Sequence, residues 1–177
     1  MEEKYEVSEL TRVVPVERVT FVSTRGFDDV VAAIYSGLGR PDNFATLLQR
    51  LAASDSAEAY DAAVAEAAGS AGLIEFLSLD LGQALAMHPG YQHYRLLRII
   101  AGNPTTMASM TTAVADAGSY APVTILVAER PDGVHIAYDR VASAIAPYQS
   151  SAASAVAQDL DHEVLKLLRS AAGAHTS

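Results

Sequence analysis

The chain has 177 residues, half of them hydrophobic, so it is long and apolar enough to fold around a sizeable core rather than stay disordered. Its formal net charge of −9 repels nucleic-acid phosphates and anionic lipids, so we expect neither as a partner. The absence of cysteine excludes disulfides, thiol nucleophiles and thiolate metal sites. The charged N-terminal stretch, and the lack of any apolar run near the ~20 residues of a membrane helix, predict a cytoplasmic protein without a membrane segment.

The first half of the chain has the pattern of one strand followed by three helices. Alternation in residues 13–23 predicts a half-buried strand. Apolar residues at helical spacing predict a helix over about 27–38 and a second one that begins near Asp42. A third helix follows a capping-box pattern, with Asp55 in the place usually taken by Ser or Thr and Glu58 three residues later.

The second half alternates strands with helices. Apolar alternation predicts four strands, at residues 73–80, 94–101, 122–129 and 134–138. Residues 130–133 have the composition of a turn, which joins the last two strands into a hairpin. Residues 82–91 form a loop or a short helical turn, and helices are predicted at residues 105–114, 142–146 and 152–171.

These elements favour one α+β domain. Strands of two-residue period with a hairpin predict a two-layer sandwich, in which a mixed, mostly antiparallel sheet has helices packed on one face. With no repeat or linker in the sequence, we expect a single domain over residues 1–177. Residues 94–101 are apolar on both faces apart from two arginines, which indicates a central strand covered by helices on one side and by a partner subunit on the other. A homodimer is therefore expected.

The tripeptide Gly-Asn-Pro at residues 102–104 marks a junction between a strand and a helix. Gly102 permits a tight turn. Asn103 is a good N-cap, because its side chain can accept a hydrogen bond from an unpaired helical N–H. Pro104 suits the first helical position, where its missing N–H costs nothing.

Four segments of the chain carry a family resemblance. They are GLIEFLSLDLGQAL, RLLRIIAGNPTTMASM, APVTILVAE and GVHIAYD. Together they resemble the domain-of-unknown-function-302 family, in which an apolar strand runs into Gly-Asn-Pro and a Pro-led strand and a hairpin follow. The resemblance covers about residues 16–146, with the predicted helix 152–171 as a looser extension. The matching positions are Asp80, Gly82, Gly102, Asn103, Pro104, Met110, Pro122 and Tyr138.

The resemblance implies a compact two-layer α/β domain, commonly a dimer, whose biochemical role is not established. This chain departs from the family at one position. Many relatives have a His directly after the Asp that ends the strand, whereas here Leu81 follows Asp80. A role given to that His in relatives is therefore in doubt here, unless His88 or His93 takes its place from elsewhere in the loop.

The densest polar chemistry lies in the predicted loop after residue 80. Asp80, His88 and His93 can converge as an acid–base group or as a site of nitrogen and oxygen metal ligands. Their spacing matches no established ligand signature, and the alternative is a solvated loop with two incidental histidines. Tyr138 on the returning hairpin strand can donate a hydrogen bond to a ligand, or it packs in the core with its hydroxyl satisfied.

Arg95 and Arg98 are three residues apart on a predicted strand, so their side chains point to opposite faces. One of them can close a pocket for a carboxylate or a phosphate. The alternative is pairing with a neighbouring acid such as Glu75.

The helix start at residue 103 offers two further candidates for ligand binding. The free N–H groups behind Asn103 can bind an anion, or they are simply capped. Met107 and Met110 share one helix face, so they line an apolar pocket or fill the core.

The sequence leads to two main hypotheses of function and a weaker third. The sequence lacks a Gly-x-Ser-x-Gly elbow, a Walker A loop and a dinucleotide fingerprint, which argues against a serine hydrolase, an NTPase and a Rossmann oxidoreductase. We favour a dimeric binding module for an apolar or anionic small molecule or for another protein. The alternative is an enzyme that uses acid–base chemistry from Asp80, His88, His93 and Tyr138. Metal or haem binding is the weaker third idea, and no particular cofactor is indicated.

Overall fold

The computed structural model describes residues 9–92 and 94–174. In those residues the strands are β1 (Arg18–Ser23), β2 (Leu38–Gly39), β3 (Leu73–Asp80), β4 (Leu96–Gly102), β5 (Val123–Arg130) and β6 (Gly133–Asp139). The α-helices are α1 (Phe27–Gly37), α2 (Phe44–Ala52), α3 (Ala57–Ala67), α4 (Leu81–Leu85), α5 (Pro104–Ala113), α6 (Val141–Ile145) and α7 (Ser151–Ala171). Short 3-10 helices occupy Ala115–Ser119 and Ala146–Tyr148. None of the described helices is long and apolar enough to cross a membrane.

In the described part of the chain the strands form one curled sheet in the order β1-β6-β5-β4-β3-β2. Every neighbouring pair is antiparallel except β2 with β3, which is parallel. The mixed, mostly antiparallel sheet and the α+β class are thus confirmed, and β4 lies inside the sheet as its apolar sequence predicted. The two-residue strand β2 follows directly from α1, and its sequence is too short to show alternation.

The main hydrophobic core lies between the sheet and helices α1, α5 and α7. Helix α7 has an apolar stripe along one side, so it can cover the sheet along its length. The largest fully buried side chains of this core come from both layers and include Ile34, Ile99, Met110, Ile125, Ile136 and Leu168. This layer arrangement confirms the predicted sandwich.

Helices α2 and α3 build a smaller cluster at the β3 end of the sheet. Leu73 belongs to the main core, whereas the next residue, Ile74, packs with Leu47 and Val64 in the second cluster. Consecutive strand residues point to opposite faces, so α2 and α3 cover the second face of β3 near its start. Phe44 and Phe76 stack there with ring centroids 4.3 Å apart.

One predicted helix start is wrong by one residue. Ser56, not Asp55, caps α3, because its hydroxyl accepts a hydrogen bond from the N–H of Ala59 at 3.1 Å. The backbone of Ser56 is extended, as an N-cap requires, and α3 therefore begins at Ala57.

Within the described residues, helices α1, α5 and α7 all lie on the first face of the sheet, so none of these three covers the rest of the second face. Side chains in register across five strands form one row there: Leu79, Arg98, Leu126, Ala137 and Thr20. They alternate along their strands with fully buried core residues such as Ile99 and Ile125, so they point away from the core. We call this surface the open face. Val22 and Leu77 also lie on it, and each is about half exposed, at 53% and 49%.

Candidate functional site

A cavity of about 470 Å³ opens on the open face, next to Arg98. Its floor is formed by neighbouring side chains of three adjacent strands, Thr124 and Leu126 of β5 with Arg98 of β4 and Ala137 of β6. Because these side chains stand on one continuous hydrogen-bonded sheet, the floor is rigid. Val16 and Tyr120 line the cavity as well, from outside the sheet.

Three arginines line this cavity, and two of them are already paired with carboxylates. Arg18 forms two hydrogen bonds with Asp139, of 2.6 and 2.8 Å. These bonds raise the pKa of Arg18 and lower the pKa of Asp139. The guanidinium of Arg140 binds Glu17 at 2.9 Å, and its Nε lies 3.5 Å from the carboxylate of Asp161.

Arg98 differs from the other two arginines. Within residues 9–92 and 94–174 its side chain has no carboxylate partner, and the one hydrogen bond of that side chain, from Nη2 to Oγ1 of Thr124, is 3.5 Å long. A bond of that length is weak. The cavity therefore contains a cation whose hydrogen-bonding capacity is mostly free, in a chain whose net charge is −9.

Tyr138 does not reach the cavity, because it points into the core. Its hydroxyl donates a 2.6 Å hydrogen bond to Asp161, which also accepts from the backbone N–H groups of Val141 at 2.8 Å and Ala142 at 3.0 Å. Burial raises the pKa of Tyr138, and the hydrogen bond and negative charge of Asp161 raise it further. Tyr138 therefore stays protonated and serves as a structural donor.

Asp161 is a buried charged residue that the sequence analysis missed. A signal was present, since Asp161 lies three residues before Val164 and seven before Leu168 on the buried stripe of α7. An acid in such a stripe indicates a paired or hydrogen-bonded group, because an isolated charge is too costly to bury.

Asp80 and His88 of the predicted acid–base loop are not brought together with Tyr138. Asp80 caps α4 by accepting a 2.8 Å hydrogen bond from the N–H of Gln83, and His88 is exposed. His93 lies outside the described residues. Asp80 ends β3, three strands away from β6 in the sheet, which puts it at least about 14 Å from Tyr138.

A metal site gains no support from the described residues. Among them there is no group of three or more His, Asp or Glu side chains that could hold a metal ion. A contribution from His93 to such a site stays untested.

Arg95 and Arg98 point to opposite sides of the sheet, as their spacing predicts. Arg95 donates hydrogen bonds to the carboxylate of Asp28 of α1 from both terminal guanidinium nitrogens, and its guanidinium carbon lies 4.2 Å from the centre of the Phe27 ring. These hydrogen bonds lower the pKa of Asp28. The suggested partner Glu75 is wrong, because that carboxylate pairs with Arg40, which follows β2 at the sheet edge next to β3.

The helix start at Asn103 uses both ends of its side-chain amide within the protein. The oxygen accepts from the N–H groups of Thr105 at 2.9 Å and Thr106 at 3.2 Å, and the nitrogen donates to the carbonyl of Gly72 at 2.9 Å. Met110 is fully buried and Met107 packs against the core. The crevice between Asn103 and Met107 holds about 10 Å³, room for no more than a water molecule.

Comparisons with known proteins place this geometry in a family. The family model "Domain of unknown function DUF302" matches residues 49–171. The match begins later than the expected residue 16 and extends through α7, which the resemblance treated as a looser extension. No curated protein matches the sequence.

The structure is similar to the crystal structure of an uncharacterized conserved protein DUF302 from Bacillus stearothermophilus. The TM-score is 0.59 at 11% sequence identity, and the alignment covers 85% of this chain and 94% of that chain. At this identity the likeness shows the fold alone.

Proposed function

The chain belongs to the DUF302 family, and from this premise we propose that it is a non-catalytic module that binds a small, largely apolar molecule in the cavity on its open face. One observation carries the proposal. The cavity, of about 470 Å³, falls in the size range of small-molecule sites, and its floor is a rigid sheet.

The lining of the cavity has the composition of a binding site. Leu126, Ala137 and Val16 provide apolar surface. The polar groups of the lining are Thr124, Arg98, Ser119 and Tyr120, together with the ion-paired side chains of Arg18, Asp139 and Arg140. Sites of this kind derive affinity from the apolar surface that a ligand removes from water, and orientation from the few polar groups.

The acid–base alternative draws less support from the structure. Asp80 is occupied as a helix cap and Tyr138 as a donor to Asp161, and the two lie on different strands. An enzyme built on this loop therefore depends on His88 and His93, and it stays a prediction.

We also propose that a second copy of the chain docks on the open face. The sequence predicts a partner on the second side of β4, which is the open face. On this face the side chains of Val22 on β1 and Leu77 on β3 are half exposed. Light scattering of the purified protein tests this proposal. We expect a dimer that Leu77→Lys converts to monomers, while Leu48→Lys, a half-exposed position on α2, leaves it intact. A monomer for the unaltered protein would contradict the proposal.

The neutral fluorescent probe N-phenyl-1-naphthylamine tests the cavity. We expect saturable binding of one probe per chain with blue-shifted emission. Ala137→Trp, which fills the cavity floor, should abolish binding, and the control Leu48→Trp, at a half-exposed position on α2 outside the lining, should keep it. Absence of binding to the unaltered protein, or binding that Ala137→Trp leaves unchanged, contradicts the proposal.

A further inference from the structure

The polar end of the cavity is set by Arg98. Arg18 and Arg140, the other arginines of the lining, each have a carboxylate partner, at 2.6 and 2.9 Å. The side chain of Arg98 has none within the part of the chain that the structure describes, and its bond to Thr124 is long. A guanidinium fork with free donors matches the two oxygens of a carboxylate, which it can bind through two parallel hydrogen bonds.

The cross-strand neighbours of Arg98 on the open face are apolar. In the register of the sheet, Arg98 lies between Leu79 on β3 and Leu126 on β5, and Ala137 follows Leu126 on β6. A ligand whose anionic group binds Arg98 could therefore lay an apolar tail on the neighbouring side chains of Leu126 and Ala137. The Arg98 side chain is exposed, so an anion can reach it from solvent.

We infer that the ligand of this cavity is an amphiphile with a carboxylate head, which Arg98 binds, and an apolar chain that lies along Leu126 and Ala137. The inference rests on the proposed function, because it names the class of molecule that the same cavity takes.

The charges of the cavity favour a single negative charge on the ligand. Arg98 has no acidic partner among the described residues and so supplies one unpaired positive charge, whereas the charge of Arg18 is balanced by Asp139 at the same cavity. Arg98 can balance only one charge of a doubly charged head. The second charge would be repelled by Asp139 in the same lining and by the net charge of −9 of the chain. A carboxylate therefore fits better than a phosphate dianion.

Calorimetric titration with three ten-carbon probes tests the inference: decanoate, decanol and decyltrimethylammonium, each below its micelle concentration. We expect decanoate to bind about 10- to 100-fold more tightly than decanol, the range that charge-assisted hydrogen bonds supply. Decyltrimethylammonium should bind more weakly than decanol, because its charge is repelled by Arg98.

Substitution of Arg98 assigns the preference to this residue. Arg98→Met keeps an unbranched stem, so it should reduce decanoate affinity to about that of decanol and leave decanol affinity unchanged. Retained decanol binding also shows that the variant is folded. The matched control is Arg130→Met, at an exposed arginine at the end of β5 outside the cavity, and it should leave all three affinities unchanged.

The outcomes separate this inference from the proposed function. Equal binding of decanoate and decanol to the unaltered protein overturns the carboxylate preference and leaves the binding module standing. A decanoate preference that survives Arg98→Met overturns the role of Arg98. Failure of all three ten-carbon probes to bind, with N-phenyl-1-naphthylamine still bound, overturns the amphiphile as the ligand. Failure of N-phenyl-1-naphthylamine to bind overturns the proposed function itself.

Discussion

The buried hydroxyl of Tyr138 donates a 2.6 Å hydrogen bond to the buried carboxylate of Asp161, which joins strand β6 to helix α7. The side chains are 1% and 0% exposed. The same carboxylate accepts hydrogen bonds from the N–H groups of Val141 and Ala142, at the start of α6. One buried charge therefore fixes the relative positions of β6, α6 and α7, of which β6 and α6 line the cavity.

Removal of this carboxylate should be strongly destabilising. Asp161→Ala leaves the Tyr138 hydroxyl and two backbone N–H groups without their acceptor, so we expect the free energy of unfolding to fall by about 3–5 kcal/mol. Asp161→Asn, which keeps one oxygen acceptor, should cost less. Urea denaturation measures both, with Glu66→Gln as the control, since that carboxylate pairs with Arg50 at the exposed surface. An Asp161→Ala variant as stable as the control would contradict the structural role.

Stability should fall at alkaline pH because of Tyr138. Burial raises the pKa of its hydroxyl above the value of about 10 that the unfolded chain has. Above pH ~10 the unfolded state loses this proton while the folded state keeps it, so rising pH favours unfolding, by up to about 1.4 kcal/mol per pH unit. Tyr138→Phe removes this proton, so its free energy of unfolding should decrease less steeply between pH 10 and 11. Equal slopes for the two proteins would refute the prediction.

Asn103 should contribute more than an ordinary helix cap. Asn103→Ala removes the cap of α5 and also the hydrogen bond to Gly72, so we expect a loss of about 2 kcal/mol in the free energy of unfolding. Asn43→Ala is a matched comparison, because Asn43 caps α2 by accepting from the N–H groups two and three residues later, as Asn103 does for α5. Its expected cost is about 1 kcal/mol. Equal losses in thermal or urea unfolding would show that the bond to Gly72 adds nothing.

Gly39 should tolerate no side chain. A Cβ at this position would lie 1.8 Å from the carbonyl oxygen of Ala67 and 2.8 Å from the backbone nitrogen of Gly69. Both atoms belong to the backbone and cannot rotate away, so Gly39→Ala should cost about 3 kcal/mol or more, or prevent folding. Gly118→Ala is the control, because its nearest contact would be an ordinary 3.7 Å to Thr111. It should change the free energy of unfolding by less than about 0.5 kcal/mol, measured by circular dichroism during heating.

The elements that short-range chemistry controls could be predicted from the sequence. The turn at residues 102–104 is an example: Asn103 caps the N–H groups two and three residues later, and Pro104 occupies the first helical position. The hairpin of β5 and β6 is another, since its turn residues and its alternation are adjacent in the chain. The cap of α3 was predicted one residue too early, because Asp55 and Ser56 are both good caps and the backbone conformation chooses between them.

The candidate site could be predicted only in part. The sequence indicated that either Arg95 or Arg98 can bind an anion, because an arginine in an apolar strand needs a partner. It could not show that Arg95 pairs with Asp28 of α1, that Glu75 pairs with Arg40, or that Arg98 stays without an acid in the described residues. Those pairings join residues 67 and 35 positions apart.

The sequence by itself determined the α+β class, most helices and strands, and the strand-to-helix junction at Gly-Asn-Pro, because periodicity and capping depend on neighbours within a few residues. Only the tertiary structure decided the strand order, the burial of Asp161 and the cavity beside Arg98. Each of these depends on which distant segments become adjacent when the sheet assembles. Arg98, which has no acidic partner among the described residues, and the apolar row beside it belong to four strands, so this arrangement exists only in the folded chain.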